Sequence, residues 1–125
     1  MRIVLICGFL VATTSAAFAG MGVGFQWGPT KQCFDPNSPP ISVRGVPAAT
    51  RTLRFKLTDL NAVTFKHGGG DVAFSGQTAL PYGAFHYKGP CPPDPTKPHT
   101  YRLTMQALDA NGAVLATAKA QRRFP

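Results

Sequence analysis

The sequence predicts a small all-β domain, built from several short strands with little helix. Apolar and polar residues alternate cleanly over residues 51–57 and again over residues 99–109, which is the pattern of strands with one buried face. The 13 glycines and 12 prolines lie largely between such segments, where they favour turns. Because no internal repeat, heptad or low-complexity tract competes with this interpretation, we expect an antiparallel β fold.

Residues 1–19, MRIVLICGFLVATTSAAFA, have the composition of a secretory signal peptide. Arg2 gives a positive start, residues 3–12 form an apolar core, and residues 17–19 fit the small-x-small pattern of a cleavage site. The apolar run is too short to span a bilayer, and no later stretch is apolar enough to do so. We therefore expect cleavage after Ala19, a periplasmic or secreted location, and one mature domain over residues 20–125 that is not membrane-spanning.

The mature chain carries one pair of cysteines, Cys33 and Cys91. In an oxidising compartment an even pair predicts a disulfide. Such a bridge would stabilise the fold by about 4 kcal/mol in the chain-entropy model. The alternative is a reactive free thiol, which the presence of a second cysteine makes less favoured.

Positive charge dominates the mature chain. Without Arg2 it has 12 lysines and arginines against five aspartates and no glutamate, a net charge of +7. This excess favours anionic partners such as phosphate esters, envelope polymers or membrane surfaces, and a merely solubilising surface is the alternative. The cations are scattered, with Arg122 and Arg123 the only adjacent pair, and no run of bases is interleaved with aromatic residues. We therefore expect no nucleic acid among its partners.

The first predicted elements lead to a carboxylate at a strand end. Residues 20–50 are rich in glycine, proline and polar residues, which predicts irregular structure or edge strands. Residues 51–57, RTLRFKL, predict a half-buried strand with its leucines and phenylalanine on one face and a basic outer face. Continuing this parity puts Asp59 and Asn61 on the core side, where a carboxylate needs partners. The alternative is that Asp59 caps the turn after the strand.

The middle of the chain predicts turns and short strands. Residues 67–71, HGGGD, predict a flexible turn, whose backbone N–H groups could instead bind an anion. Residues 72–74 and 84–87 predict short strands. Residues 87–101, YKGPCPPDPTKPHTY, contain five prolines in fifteen residues, which excludes a helix or a central strand. This proline loop is either a surface linker or a stiff wall of a binding site.

The last part of the chain predicts a β-hairpin. Residues 99–109 alternate so that His99 and Tyr101 lie two positions apart on the apolar face. The Asn-Gly pair at 111–112 is a strong turn signal. Residues 114–124 predict a final strand, with a helix as the alternative because of their alanines. Together with the polar residues at the end of the earlier strand, this parity predicts a polar site on the core side.

Two segments carry motifs that occur together, in this order, in a known family. Residues 38–62 read SPPISVRGVPAATRTLRFKLTDLNA, and residues 89–101 read GPCPPDPTKPHTY, before a strand that ends in ALD. They are similar to the SPP…W.GVP.GT, D-P-D-A-P and G-P-C-P-P…H-R-Y segments of the phosphatidylethanolamine-binding protein (PEBP) family. The chain resembles a short, secreted, bacterial-type member. The resemblance implies an antiparallel β-sandwich with a large sheet packed on a smaller sheet, and a small pocket for phosphate, acetate or a phosphorylated head group.

The resemblance also implies which residues form the pocket. The matching positions belong to the family's acid segment, the histidine after it, the proline wall and the H-x-Y pair. They are Asp59, Asn61, His67, Gly89, Pro90, Pro92, His99 and Tyr101, with Pro93 continuing the wall. Asn61 stands in place of a second acid, Thr100 in place of the usual arginine, and the helical insertion before the last strand is absent. We expect the histidines and the tyrosine hydroxyl to donate hydrogen bonds to an oxyanion, with Asp59 orienting a histidine.

These observations predict an exported protein that binds a small anion, either phosphate, a carboxylate or a phospholipid head group, without a cofactor or a metal. The alternative is a protein-interaction module, because relatives in the family act as kinase-pathway regulators and protease inhibitors. A hydrolase is the least favoured function. His67, His86 and His99 match no metal-binding motif, and no serine or cysteine is flanked like an activated nucleophile, so we expect no enzyme activity.

Overall fold

The computed structural model describes residues 20–125 and shows two antiparallel β-sheets packed on each other. The predicted signal peptide and its cleavage after Ala19 lie outside the described residues. The strands are β1 (Gly22–Phe25), β2 (Ile41–Arg44), β3 (Thr52–Asp59), β4 (Gly69–Ala73), β5 (Ala79–Leu80), β6 (His99–Leu108) and β7 (Val114–Phe124). The large sheet has the order β4-β3-β6-β7 and the small sheet β1-β2-β5. Residues 20–125 form no helix, so none of them forms a helix that could cross a membrane. The predicted all-β fold is confirmed.

The centre of the large sheet is formed by β3 and β6, the two segments in which the alternation is clearest. Alternate residues of both strands are buried, and those between them are polar or charged. The strands pair antiparallel, from Thr52 opposite Leu108 to Asp59 opposite Tyr101. This register brings the polar end of β3 beside the start of β6 on the core face.

The core between the sheets is apolar and comes mainly from these two strands. Its largest fully buried side chains include Tyr101, Phe55, Leu53, Leu57, Leu103 and Met105. The small sheet covers them with the buried residues of β1 and β2. Phe85, from the loop after β5, stacks on Phe55 with a ring-centroid distance of 5.0 Å. Fully burying one such side chain contributes roughly 1.5–3 kcal/mol.

The two sheets are joined along β1 and the end of β7. Nε of Arg122 donates a hydrogen bond to the carbonyl oxygen of Phe25, and Nε1 of Trp27 donates to the carbonyl oxygen of Arg123 at 2.7 Å. The Trp27 ring meets Phe25 and Tyr101 edge-to-face, at centroid distances of 5.1 and 5.7 Å. The last strand is thus held by both sheets.

The hairpin predicted at residues 111–112 joins β6 to β7. Asp109 accepts hydrogen bonds from the N–H groups of Asn111 and Ala113, both at 2.9 Å. Gly112 takes a left-handed φ of 79°, which glycine adopts without steric cost. The chain then continues as an 11-residue strand, so the helix alternative for residues 114–124 is wrong.

The glycine triplet at residues 68–70 is not a simple turn. Gly69 and Gly70 open β4 and pair with Lys56 and Phe55 of β3. A Cβ on Gly69 would lie 1.7 Å from the carbonyl oxygen of Phe55, so the strands can approach this closely only at a glycine. The prediction of a flexible turn is wrong for these two residues because close strand packing fixes their conformation.

Two further predictions for short segments are corrected. Residues 84–87 form no strand, because their pairing with residues 36–38 is limited to an isolated bridge between Asn37 and His86 with one backbone hydrogen bond on each side of it. β2, which lies within the segment predicted to be irregular or at a sheet edge, is the central strand of the small sheet. Its alternation is only four residues long, which gives the sequence pattern little to detect.

Cys33 and Cys91 form the predicted disulfide, so the free-thiol alternative is wrong. The bridge joins the segment between β1 and β2 to the proline loop before β6. The N–H group of Gly89 donates to the carbonyl oxygen of Asp35 at 2.9 Å beside the same junction. These links hold two long loops together at the end of the sandwich where β3 ends and β6 begins.

Candidate functional site

A small cavity of about 170 Å³ lies at this end of the sandwich. It is enclosed by the end of β3, the start of β6, the loop after β3 and the two disulfide-linked loops. Its lining residues are Phe34, Asp59, Ala62, Phe65, His67, Cys91, Pro93 and His99. Three residues predicted as ligand-binding, Asp59, His67 and His99, are therefore brought together on one surface.

Asp59 uses its two carboxylate oxygens for two different purposes. Oδ1 accepts a hydrogen bond from the N–H group of Asn61 at 2.9 Å, which caps the turn after β3. Oδ2 lies 2.6 Å from Nδ1 of His99, the diagonal neighbour of Asp59 on the core face. Asp59 therefore caps the turn and also has a partner on the core face, as the two interpretations of the sequence expected separately.

The pairing with Asp59 defines the hydrogen-bonding state of His99. An ionised carboxylate only accepts hydrogen bonds, so Nδ1 of His99 carries the proton that is shared with Asp59. The second ring nitrogen, Nε2, then remains for a bound group. It accepts a hydrogen bond when the ring is neutral and donates one when the ring is protonated.

His67 is held in a similar way from another loop. Its Nδ1 lies 2.6 Å from the carbonyl oxygen of Lys88, which can only accept, so Nδ1 is the protonated nitrogen. The ring is buried and contacts Phe65 and Tyr101, at centroid distances of 4.6 and 5.5 Å. Both cavity histidines therefore have Nδ1 fixed as a donor to the protein and Nε2 left without such a partner.

Tyr101 lies beneath the cavity rather than on its lining. Its side chain is fully buried, and its hydroxyl forms no hydrogen bond of good geometry with residues 20–125. Burial, and then the nearby negative charge of Asp59, raise the pKa of this hydroxyl. It stays protonated at neutral pH, and although the Asp59 carboxylate and the Cys91 backbone lie close to it, neither is aligned for a full hydrogen bond.

Asn61 does not face the core, contrary to the parity argument. β3 ends at Asp59, and the turn that follows leaves Asn61 exposed. Its Oδ1 accepts a hydrogen bond from the N–H group of Thr100 at 2.7 Å. Asn61 thereby ties the turn after β3 to the start of β6, and it is not on the cavity lining.

Gly89, Pro90 and Pro92 form a buried layer behind the cavity and are not on its lining. A Cβ on Gly89 would lie 2.5 Å from the carbonyl oxygen of Asp35, so the loops approach closely only at a glycine. Pro93 is the proline of this loop that lines the cavity.

Two aromatic residues and a lysine at the rim were not predicted as site residues. Phe34 and Phe65 stack with a centroid distance of 5.7 Å and remain 40% and 39% exposed. Nζ of Lys88 lies 4.6 Å from the centroid of Phe34 and 5.2 Å from that of Phe65. Their positions depend on the disulfide-linked loop and on the turn after β3. The only signal in the sequence is that Phe34 follows Cys33 and Phe65 lies two residues before His67.

The histidines do not assemble into a metal site. In the part of the chain that the structure describes, no three His, Cys, Asp or Glu residues are grouped so that they could hold a metal ion. His86 is exposed and bridges to Asn37, and it is not on the cavity lining.

The fold is similar to that of a solved bacterial protein. The crystal structure of E. coli YbcL, described as a new member of the mammalian PEBP family, superposes with a TM-score of 0.64 at 20% sequence identity. The alignment covers 85% of this chain and 98% of YbcL. No family model matches the sequence, and no curated protein matches it. The predicted PEBP-like fold, a large antiparallel sheet packed on a smaller sheet, is confirmed by this likeness.

Proposed function

We propose that this chain, which has a PEBP-like fold, is an exported protein that binds a small oxyanion in the cavity between Asp59, His67 and His99. The oxyanion is inorganic phosphate, a carboxylate or the phosphate of a phospholipid head group. The observation that carries the proposal is the arrangement of two histidines, each fixed through Nδ1, on the lining of one small cavity.

The size of the cavity supports a ligand of this class. Sites for drug-sized molecules usually enclose about 300–1,000 Å³. A cavity of about 170 Å³ suits one small group, such as a phosphate, better than a whole lipid or a cofactor. A phospholipid would place its head group in the cavity and leave its acyl chains outside.

The charges of the site also support an anion. Both oxygens of Asp59 are occupied by the N–H group of Asn61 and by His99, so they are not directed at a ligand. When His99 and His67 are protonated, each Nε2 becomes a charged donor. Lys88 adds a third positive charge at the rim. Anion affinity should therefore increase as the histidines become protonated.

Export is the second part of the proposal. It rests on the signal-like pattern of residues 1–19 and on the disulfide, which persists in oxidising compartments. Mass spectrometry of protein from the periplasm or medium of an expressing bacterium should give a mature chain that begins at Gly20. An unprocessed chain in the cytosol would contradict it.

Isothermal titration at pH 6 and low salt, with phosphate and with phosphoethanolamine, tests the pocket. We expect saturable binding by the purified protein and a Kd raised at least about tenfold by His99→Ala, because one charge-assisted hydrogen bond is lost. His86→Ala is the matched control, since His86 is exposed and lies outside the cavity. The control should bind as the unchanged protein does. Absence of binding, or equal binding by both variants, would contradict the proposal.

The exposed rim favours a second candidate function, docking of a protein partner in the manner of an inhibitor or regulator. Phe34 and Phe65 at the rim are 40% and 39% exposed, and Val63, two residues before Phe65, is 66% exposed. Neighbouring exposed apolar side chains of this kind can mark an interaction site. A partner retained by His99→Ala but lost by Phe34→Ser with Phe65→Ser would favour this function over small-anion binding.

A further inference from the structure

We propose a second binding site, for a linear acidic polysaccharide, on the outer face of the large sheet. The site is a groove of about 400 Å³ that runs between the outward side chains of β3 and β6 and the loop at residues 63–68. We call it the basic groove, and its cations are Arg54, Lys56 and Lys66. It lies outside the sandwich core, and although Phe65 and His67 line both this groove and the anion cavity, the three cations line the groove alone.

The positive charge of the groove continues across the rest of the sheet face. Strand alternation and register place Arg102 of β6 and Lys119 and Arg123 of β7 on the same side as Lys56. Thr104 lies opposite Lys56 on one side and Lys119 on the other. Because neighbouring strands are about 4.8 Å apart, the Cα atoms of the two lysines are roughly 10 Å apart.

Almost none of this charge is neutralised within the protein. Among residues 20–125 the acid paired on this face is Asp71, which makes two hydrogen bonds of 2.9 Å to Arg54. No ion pair in the described part of the chain involves Lys56, Lys66, Arg102, Lys119 or Arg123. Like charges on neighbouring strands repel one another. Such an arrangement therefore suits a polyanion that supplies the missing negative charge.

Arg102 gives a second indication that an acceptor is missing. Its Nε atom is buried, yet it has no hydrogen-bond partner among the described residues. Because Nε is covered, an external carboxylate or sulfate would pair with the accessible part of this half-buried guanidinium, and not with Nε itself.

The neutral lining of the groove favours a sugar polymer among the polyanions. Thr58, Thr104 and Gln106 lie between the cations and offer hydroxyl and amide groups that pair with sugar hydroxyls. Val63, Phe65 and the aliphatic stems of the lysines offer apolar surface to the C–H faces of the rings. An acidic sugar chain would use the charged, the hydrogen-bonding and the apolar surfaces of the groove.

Two other polyanions fit the groove less well. Single-stranded nucleic acid is bound through a series of stacking aromatic rings, whereas Phe65 is the exposed aromatic side chain of this groove. A flat anionic membrane would meet the loop at residues 63–68, because this loop forms one wall of the groove. The loop would hold the membrane surface away from the cations of the groove.

The test measures binding of a galacturonate oligomer at 50 and 150 mM salt, with the fully methyl-esterified oligomer as the uncharged control ligand. We expect the acidic oligomer to bind, its affinity to fall with salt, and the ester to bind much more weakly. Lys56→Gln with Lys119→Gln should raise the Kd about fivefold to tenfold, because two ionic contacts are lost. Circular dichroism and thermal unfolding check that this variant is folded.

Lys31→Gln with Lys97→Gln is the matched control, because both lysines are exposed in loops and are not on the lining of the basic groove. This pair of substitutions removes the same charge. This pair should bind as the unchanged protein does, and so should His99→Ala, which separates this site from the anion cavity. Equal weakening by the two lysine pairs, no binding of the acidic oligomer, or tighter binding of single-stranded DNA or anionic vesicles through Lys56 and Lys119 would overturn the proposal.

Discussion

At the scale of single residues, the candidate site contains polar groups that differ in how fully the protein satisfies their hydrogen bonds. Asp59 is fully engaged, since one oxygen caps a turn and the other holds His99. The hydroxyl of Tyr101 is the opposite case, a buried donor without an acceptor among residues 20–125. Because such a donor gives up its bonds to water when the chain folds, it contributes nothing to stability in the free protein.

Tyr101→Phe should therefore leave the free energy of unfolding unchanged or raise it by up to about 1 kcal/mol, because a buried unpaired hydroxyl is removed. Urea unfolding at pH 7 measures this. Tyr82→Phe is the matched comparison, because the Tyr82 hydroxyl donates to Asp35. It should lower the free energy of unfolding by about 1–2 kcal/mol, since a hydrogen bond to a charged group is lost. A larger loss in Tyr101→Phe than in Tyr82→Phe would contradict this account.

At the scale of strands, β4 depends on a residue without a side chain. Gly69 pairs with Lys56, and the carbonyl oxygen of Phe55 occupies the place of a Cβ. Because the obstacle is backbone in the centre of the large sheet, the sheet can relieve it only by moving β4 away. The loop that carries His67 leads directly into β4, so the position of that histidine depends on the same contact.

Gly69→Ala should lower the free energy of unfolding by about 1–3 kcal/mol, the range typical of overpacking. Chemical denaturation measures the change, and hydrogen exchange should show faster exchange in β4 than in β6. Gly20→Ala is the control, because nothing lies within 4 Å of its Cβ position. Equal stability of the two variants would show that β4 adjusts without cost.

The lengths of the strands explain which elements could be predicted from the sequence. β3, β6 and β7 have eight to eleven residues, long enough for the alternation to be distinctive. β2 and β4 have four and five residues, and β4 opens with glycines that the pattern assigns to a turn. Asp59 and His99 were found because parity determines the face of a residue inside a strand. Asn61 was misplaced because the strand ends before it. Phe34 was missed because the disulfide-linked loop sets its position.

At the scale of the whole molecule, the free energy of unfolding should depend on pH through the ionisation of Asp35. Burial alone would raise the pKa of this carboxyl. Hydrogen bonds from the N–H group of Lys31, the Tyr82 hydroxyl and the N–H group of Asn37 outweigh burial and hold the pKa below its usual range. A group whose pKa is lowered by folding stabilises the protein above its usual pKa and loses that contribution as pH falls through the lowered value. For Asp35 this loss lies below about pH 4.

Asp35→Asn should therefore cost most at pH 7 and progressively less below pH 4. The difference in unfolding free energy between the variant and the unchanged protein, measured in urea at pH 7 and at pH 2.5, checks this. Asp94→Asn is the comparison, because Asp94 is exposed and accepts its hydrogen bonds from Thr96 in its own loop. These bonds lower the pKa of Asp94 as well, so this variant should show a pH dependence of the same sign but smaller than that of Asp35→Asn. A difference for Asp35→Asn that is the same at both pH values would contradict the prediction.

The pairing of Asp59 opposite Tyr101 has a consequence for how the chain assembles. A slip of β6 by one residue against β3 would turn His99 to solvent and destroy the cavity, although many backbone hydrogen bonds would survive. The proposed anion site therefore requires the correctly paired chain. An oxyanion present during refolding would bind that pairing alone and shift the population toward it. A bound ligand would thereby favour the correct register of β6 against β3 over a register shifted by one residue.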